Sequence, residues 1–382
     1  MDVWVISSSY PRRPDESVNA GVVARDVALS LSEVGHRVTV VTPAKPGGIA
    51  FDPALQGIVL PWLAPSLALA DLSAKNPWDV LRMLSLFALA PGRLRRTIRQ
   101  SRRPDAVIAL WAIPSGIFAR RVKRLTGAPY VVWVLGSDVW KAPRFPGGRR
   151  MFRAVLGDAE RAFADGSELA AAARALSGRD VEFLPSCRRL PPPPADGLPD
   201  PVDVLFVGRY HPNKGPDVLL DAFELLRPRR PGATVRLHGQ GSMRGALERR
   251  ARGLGAGVDV LGPVSAVELS GTMARAGVLA IPSRIESIPL ILGDATQAGL
   301  PVVASAVGDM GEVVEKYGLG RVVPPEDPVA LAEALDAALT EPRRLDAGSG
   351  PGWLSPDGVA DALLEGFRAT PGSMERPEPG PS

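Results

Sequence analysis

Residues 204–223 read VLFVGRYHPNKGPDVLLDAF, and this stretch decides the fold. VLFVG (204–208) is a short apolar run suited to a buried strand. Pro216 fits the first turn of a helix, because the ring presets φ and the missing N–H would have no partner there. Strand, tight loop and helix in immediate succession are the opening of a βαβ unit. The loop holds Arg209 and Lys214 at or just before the positive end of that helix. Cations there are unfavourable unless an anion completes the site. A phosphate or diphosphate gripped by both side chains would do so, at the crevice where open parallel sheets bind ligands; two solvated cations in a loop is the plain alternative.

The same alternation continues downstream through TVRLHG (234–239), VDVLG (258–262), VLAIPS (278–283) and VVAS (302–305), with helices between them. Upstream it runs through VWVIS (3–7), RVTVVT (37–42), AVIAL (106–110) and YVVWVL (130–135). Between the first two of these, Ala24, Val27, Ala28 and Leu31 fall on one helical face that stops at Gly35. The pattern breaks only in CRRLPPPPADGLPDPV (187–202), where Pro191 to Pro194 can donate no ladder or helix hydrogen bonds and favour an extended spacer. The expected fold class is therefore α/β, with two Rossmann-like parallel-sheet domains facing a cleft. The expected boundaries are 1–187 for the first domain, 188–201 for the linker and 202–355 for the second. A closing helix follows at 356–370, packing back towards the first domain, and 371–382 reads as a disordered tail.

Composition excludes several classes. The chain has 382 residues, 45% hydrophobic and 23% charged, enough for two packed domains. Cys187 is the one cysteine. It leaves no room for an intramolecular disulfide or a paired-cysteine metal site, and a cytoplasmic location is expected. The start, MDVWVISSSYPRR, lacks the positive n-region of a secretory signal, and no run reaches the ~18 apolar residues of a spanning helix. Residues 1–200 carry 27 Lys+Arg against 18 Asp+Glu, whereas the remainder carries 18 against 23. That acidic second half, with no recognition motif, argues against nucleic acid.

A second constellation lies in PSRIESIPLILGDATQAGLPVVAS (282–305). Glu286 follows a strand, and Pro289 can start a helix whose second turn carries Asp294. A carboxylate there can accept hydrogen bonds from vicinal hydroxyls while the Leu290 N–H holds phosphate; both acids also suit a helix N-terminus electrostatically. HGQGS (238–242) follows a strand, so Gly239 and Gly241 either admit a nucleotide close to the backbone or form an ordinary turn. Asp138, in GSDVW, either orients an acceptor or caps a helix. The loop after the first strand has no G-x-G-x-x-G, which weighs against NAD.

Taken together, these motifs resemble the retaining, GT-B-fold glycosyltransferases of family 4, also described as glycosyltransferases group 1. The likeness runs from GHRVTVVTP (35–43) through GSDVW to the helix after residue 328. It implies that Gly208, Arg209 and Lys214 of the G-R-x-x-x-x-K-G pattern hold the donor diphosphate, that Glu286 meets the sugar hydroxyls, and that Asp294 stands where the family has a ribose-binding glutamate. It further implies a nucleotide contact at Gly239 and Gly241, a place for Gly21 beside the reacting phosphates, and catalysis without a metal or a cofactor other than the nucleotide-diphosphate sugar itself. Leu110 and Leu135 stand where many members have histidines. Of the three histidines present, His36 and His238 suit structural roles and His211 lies in the donor loop.

The expected activity is transfer of a sugar from a nucleotide-diphosphate donor to a glycan, lipid-linked or small-molecule acceptor, in cell-envelope or exopolysaccharide assembly. A sugar-binding protein without turnover and a natural-product glycosyltransferase are the alternatives. Trp62, Trp78 and the arginines at 93, 95, 96, 99, 102 and 103 suggest reversible attachment to an anionic membrane surface. An ordinary solvated helix face would have the same composition.

Overall fold

A computed structural model describes residues 1–13, 21–64, 76–100, 102–141, 145, 147–346 and 349–368. The tail expected at 371–382 lies outside them. The first sheet is built from β1 (Asp2–Ser7), β2 (Arg37–Pro43), β3 (Gln56–Leu60), β4 (Ala106–Leu110), β5 (Tyr130–Val134), β6 (Ala162–Ala164) and β7 (Glu182–Phe183). Its order is β3-β2-β1-β4-β5-β6-β7, with every pairing parallel. The second contains β8 (Val202–Val207), β9 (Val235–His238), β10 (Val258–Leu261), β11 (Ala276–Ile281), β12 (Val302–Ser305) and β13 (Gly320–Val323), ordered β10-β9-β8-β11-β12-β13 and again parallel.

The apolar runs are continuous because each strand is covered on both faces. In β1, Val3 and Val5 point to one side, packing with Val27 and Leu31 of the helix Gly21–Glu33. Trp4 and Ile6 point to the other, where Leu86 and Leu94 of the helix Pro77–Gln100 lie. The period-2 alternation of a strand thus feeds two separate apolar layers. β8 repeats the device: Val204 and Phe206 meet Leu219 and Phe223, while Leu205 joins Leu292 on the opposite face.

The chain crosses between the sheets twice. After β7 it runs without helix or strand through the proline segment to β8. At the end, the helix Pro356–Glu365, capped by the Ser355 hydroxyl on the Gly358 N–H, returns Val359 and Leu363 to the cluster around Val27.

Candidate active site

The order of the second sheet places β8 beside β11 while β9 and β12 lie on their outer sides, so the loops leaving β8 and β11 diverge and open a crevice. Both sequence constellations are on these two loops. Lys214 ends a 3-10 turn, Pro212–Lys214, which His211 caps by accepting the Asn213 N–H at Nδ1. Gly215 then takes φ +61, and a Cβ there would stand 1.9 Å from the Pro282 carbonyl oxygen. Only glycine allows the donor-side turn to lie this close to the loop after β11.

Arg284 fastens that contact. Its backbone N–H donates to the Asn213 carbonyl (2.8 Å) and its guanidinium to the Pro212 carbonyl (2.7 Å), to both Asp217 oxygens (2.9 and 2.8 Å) and to Glu326 (2.8 Å). Burial pushes the Asp217 carboxyl up, but the forked Arg284 contact outweighs it, and the group ends below its usual range. Arg284 was not singled out in the sequence, where it is one arginine of SRIES; its role emerges only when the two loops meet. As a result the Lys214 ammonium forms an ion pair with the Glu286 carboxylate, both partly buried.

Arg209 extends into solvent at the exit of β8, one residue beyond Gly208. The next residue, Tyr210, is fully buried, and its hydroxyl donates to the Leu261 carbonyl (2.6 Å), with the Leu237 carbonyl 2.8 Å away. Gly239 and Gly241 pack against this loop: a Cβ at either would enter the Gly208 or the Tyr210 carbonyl oxygen. Their absence of side chain therefore already has a packing reason. Leu290 opens the helix Leu290–Gln297 at the rim of the crevice and packs against the first domain's cluster.

Asp294 requires a correction. Its side chain is 0% exposed and held by Arg188, with Nε at 3.0 Å from each carboxylate oxygen and a second contact from Nη2. In this arrangement the carboxylate is a buried anchor for Arg188, and a ribose contact would first have to open that ion pair. Asp138 serves a helix other than its own: its carboxylate accepts the N–H of Ala112, the first residue of the short helix Ala112–Gly116. It lies buried in the short helix Ser137–Trp140 and accepts the N–H groups of Ala112 (2.6 Å) and Leu135 (3.3 Å), bracing the exits of β4 and β5. Burial pushes its carboxyl up to about 6, against the pull of those N–H groups.

Gly21 starts its helix with the Tyr10 backbone so close that a Cβ would lie 2.5 Å from the Tyr10 Cα. Residues 14–20, which precede it, are outside the described set. Leu110 and Leu135 lie in and against the same apolar cluster. His36 Nδ1 is 3.3 Å from the chain's amino terminus, and His238 ends β9 with Nε2 buried. Trp62, expected near a membrane surface, is instead a core residue whose indole N–H donates to the Ala44 carbonyl (2.9 Å). Trp78 is exposed.

Across the crevice, the exit of β6 supplies Asp165. Ser186 donates to it through both its N–H and its hydroxyl. Burial raises this carboxyl to about 7, and the nearby Glu286 and Asp309 charges push the same way. No group of three or more His, Cys, Asp or Glu side chains suited to a metal occurs among the described residues.

Two facing parallel-sheet domains with a crevice at the β8–β11 switch point make this a GT-B fold. Solved structures that share it include the sucrose-phosphate synthase of Thermosynechococcus elongatus, 19% identical, TM-score 0.64, over 95% of this chain and 94% of that one. HepE of Anabaena, solved in complex with UDP-glucose, is 17% identical with TM-score 0.62 over 97% and 100%. More particularly, the chain joins a glycosyl transferase 4-like domain, matched over residues 20–187, to a domain of the glycosyl transferases group 1, matched over residues 201–341. Curated relatives include the D-inositol 3-phosphate glycosyltransferases of Pseudarthrobacter chlorophenolicus, 35% identical over 157 residues (39% of this chain, 37% of that protein), and of Geodermatophilus obscurus, 34% identical over 203 (47% and 45%). The matched stretch spans less than half the length of these curated relatives.

Proposed function

We propose that the chain is a glycosyltransferase that moves a sugar from a nucleotide-diphosphate donor to an acceptor hydroxyl, retaining the anomeric configuration and using no metal. The observation that carries this reading is the gathering of Arg209, Lys214 and Glu286 on the two loops of one crevice, inside a matched glycosyltransferase domain. As the glycosidic bond breaks, negative charge grows on the leaving diphosphate oxygen. Arg209, Lys214 and the N-terminus at Leu290 would meet that charge where a metal otherwise could. Glu286 would exchange part of its contact with Lys214 for the hydroxyls of the transferred sugar. Gly208, Gly239 and Gly241 would keep the nucleotide side of the crevice free of side chains.

The relatives' names favour a small phosphorylated polyol as acceptor; a lipid-linked glycan of envelope or exopolysaccharide assembly is the other candidate. Calorimetry with UDP-, GDP- and dTDP-sugars, followed by nucleotide release with inositol phosphate, lipid-linked and water-only arms, tests the reading. Binding by at least one donor and acceptor-dependent release are expected. Absence of any nucleotide binding overturns the site, and binding without release under every acceptor would favour a sugar-binding protein.

The reading includes reversible attachment to an anionic membrane. What supports it is the outer face of the helix Pro77–Gln100: Trp78, Leu81 and Leu84 are 68%, 49% and 58% exposed, and Arg95, Arg96 and Arg99 follow on the exposed side of the last turns. Apolar residues would enter the acyl boundary while arginines meet lipid phosphates. No helix among the described residues is long and apolar enough to cross a membrane. In vesicle co-sedimentation the protein should bind anionic but not neutral vesicles, and Leu81→Glu with Leu84→Glu should abolish binding. Equal binding to both vesicle types would exclude this attachment.

A further inference from the structure

Asp309 joins the two domains at the crevice, a role that no motif in the sequence suggests. It stands before the helix Met310–Lys316, in the loop after β12. Its Oδ2 accepts two hydrogen bonds from different domains: the Ser287 hydroxyl at 2.6 Å and the Ser167 backbone N–H at 2.9 Å. Ser287 immediately follows Glu286. Ser167 follows Asp165 and Gly166 at the exit of β6. The Ser287 oxygen is also 3.4 Å from the Asp165 carbonyl, but a hydroxyl has one proton and the shorter, charged acceptor takes it.

Space confirms the fit on both sides. A Cβ at Gly166 would stand 2.3 Å from the Ser287 Oγ, so the first domain's turn lies directly on that serine. Gly308 has φ +52, and its Cβ would fall 2.1 Å from the Glu286 carbonyl oxygen, so the loop before Asp309 cradles the Glu286 backbone from below. Further connections between the domains include Arg188 and Arg189, the packing of Leu290 and the closing helix on the first domain, and the edge-on contact of Phe183 with Trp353. Arg188 holds Asp294 in the second domain, whereas Arg189 holds Glu33 and Ser30 in the first and Asp357 on the closing helix. Of these contacts, the Asp309 hydrogen bonds are the ones made directly beside Glu286.

We propose that Asp309 is a positioning residue, which ties the Glu286–Ser287 turn to the Gly166–Ser167 turn of the facing domain and so sets where Glu286 meets the transferred sugar. This rests on the reading of Glu286 above. Both bonds use one oxygen, so an asparagine can place its carbonyl oxygen there and accept both, while an alanine loses both. Amide hydrogen exchange in wild type, Asp309→Ala and Asp309→Asn reads the tie without any donor. Exchange at 165–168 and 284–289 should rise about tenfold or more in the alanine variant, as loss of a charged acceptor implies, and stay near wild type in the asparagine variant. Unchanged exchange in Asp309→Ala overturns the proposal. Should Asp309→Ala not fold, Ser287→Ala removes one of the two bonds, and unchanged exchange there overturns it equally.

The functional arm uses UDP and UDP-glucose as probes. Asp309→Ala should leave UDP affinity within about twofold and reduce kcat for nucleotide release about tenfold or more, with Asp309→Asn restoring it. A loss of UDP affinity equal to the loss of kcat would also overturn the positioning role. If wild type binds neither probe, the same comparison is made with whichever of the GDP- and dTDP-sugars binds; if none binds, the donor reading fails while the exchange result still decides the tie.

Discussion

Replacing Lys214 with alanine is expected to weaken binding of a nucleoside diphosphate by about 1.5–3 kcal/mol, roughly 10- to 150-fold, and binding of the bare nucleoside hardly at all. The side chain ends a turn whose shape does not depend on it: His211 caps the turn, Gly215 closes it and Arg284 clamps it to Asp217. The substitution therefore removes a charge without moving the loop. It also leaves the Glu286 carboxylate without its cation, which adds repulsion to an approaching diphosphate. Arg209→Ala should act in the same direction. Calorimetry with UDP and uridine, at low and physiological salt, separates the cases, since a phosphate contact fades with ionic strength. Equal loss for both ligands would mean that Lys214 does not touch phosphate.

The largest expected effect on stability belongs to Arg188, in the crossover between the domains. Its side chain is 18% exposed, and its partner Asp294 is fully buried. Truncating Arg188 to alanine abandons a carboxylate in the interior, a change that typically costs about 3–5 kcal/mol. The backbone at this point should survive, because Gln297 holds it from both sides: its Nε2 donates to the Arg188 carbonyl and its Oε1 accepts the Leu190 N–H, each at 2.9 Å. The cost is therefore electrostatic. Chemical denaturation of Arg188→Ala should show it, and the pair Arg188→Met with Asp294→Leu should recover part of it, because two apolar groups need no counter-charge while the buried Asp26 carboxylate, which also interacts with Arg188, keeps Arg25. A destabilisation below about 1 kcal/mol in the single variant would mean that water reaches Asp294.

This pair also marks where local pattern stops being informative. Asp294 is spaced from Glu286 so that both suit the start of one helix, and spacing alone assigns them one ligand. The register of the helix Leu290–Gln297 decides otherwise, turning Asp294 inward to meet an arginine 106 positions away. Asp138 shows the same limit. A carboxylate after glycine and serine reads as the cap of the helix it begins, yet the fold turns it to the N–H of Ala112, at the start of a different helix after a neighbouring strand. Shorter elements were also hidden: β6 and β7 have three and two residues, too few for periodicity, and exist through pairing with their neighbours.

What the sequence determined by itself is whatever depends on neighbours in the chain. The continuous apolar runs of β1, β2, β4, β5, β8 and β11 can only be buried on both faces, which forces parallel sheets flanked by helices. The strand–loop–helix at 204–223 likewise brings Arg209 and Lys214 to a sheet's carboxyl edge, and the proline run at 191–194 cannot belong to either sheet. Tertiary structure alone decided which charges face one another. Lys214 meets Glu286 because β8 and β11 are adjacent, Arg284 becomes a clamp for the same reason, and Asp309 meets Ser167 only across two domains. Side-chain hydrogen bonds reach about 3 Å, whereas these partners lie 42 to 142 residues apart along the chain. Their identity is therefore set by the packing of the sheets, on which local periodicity carries no information.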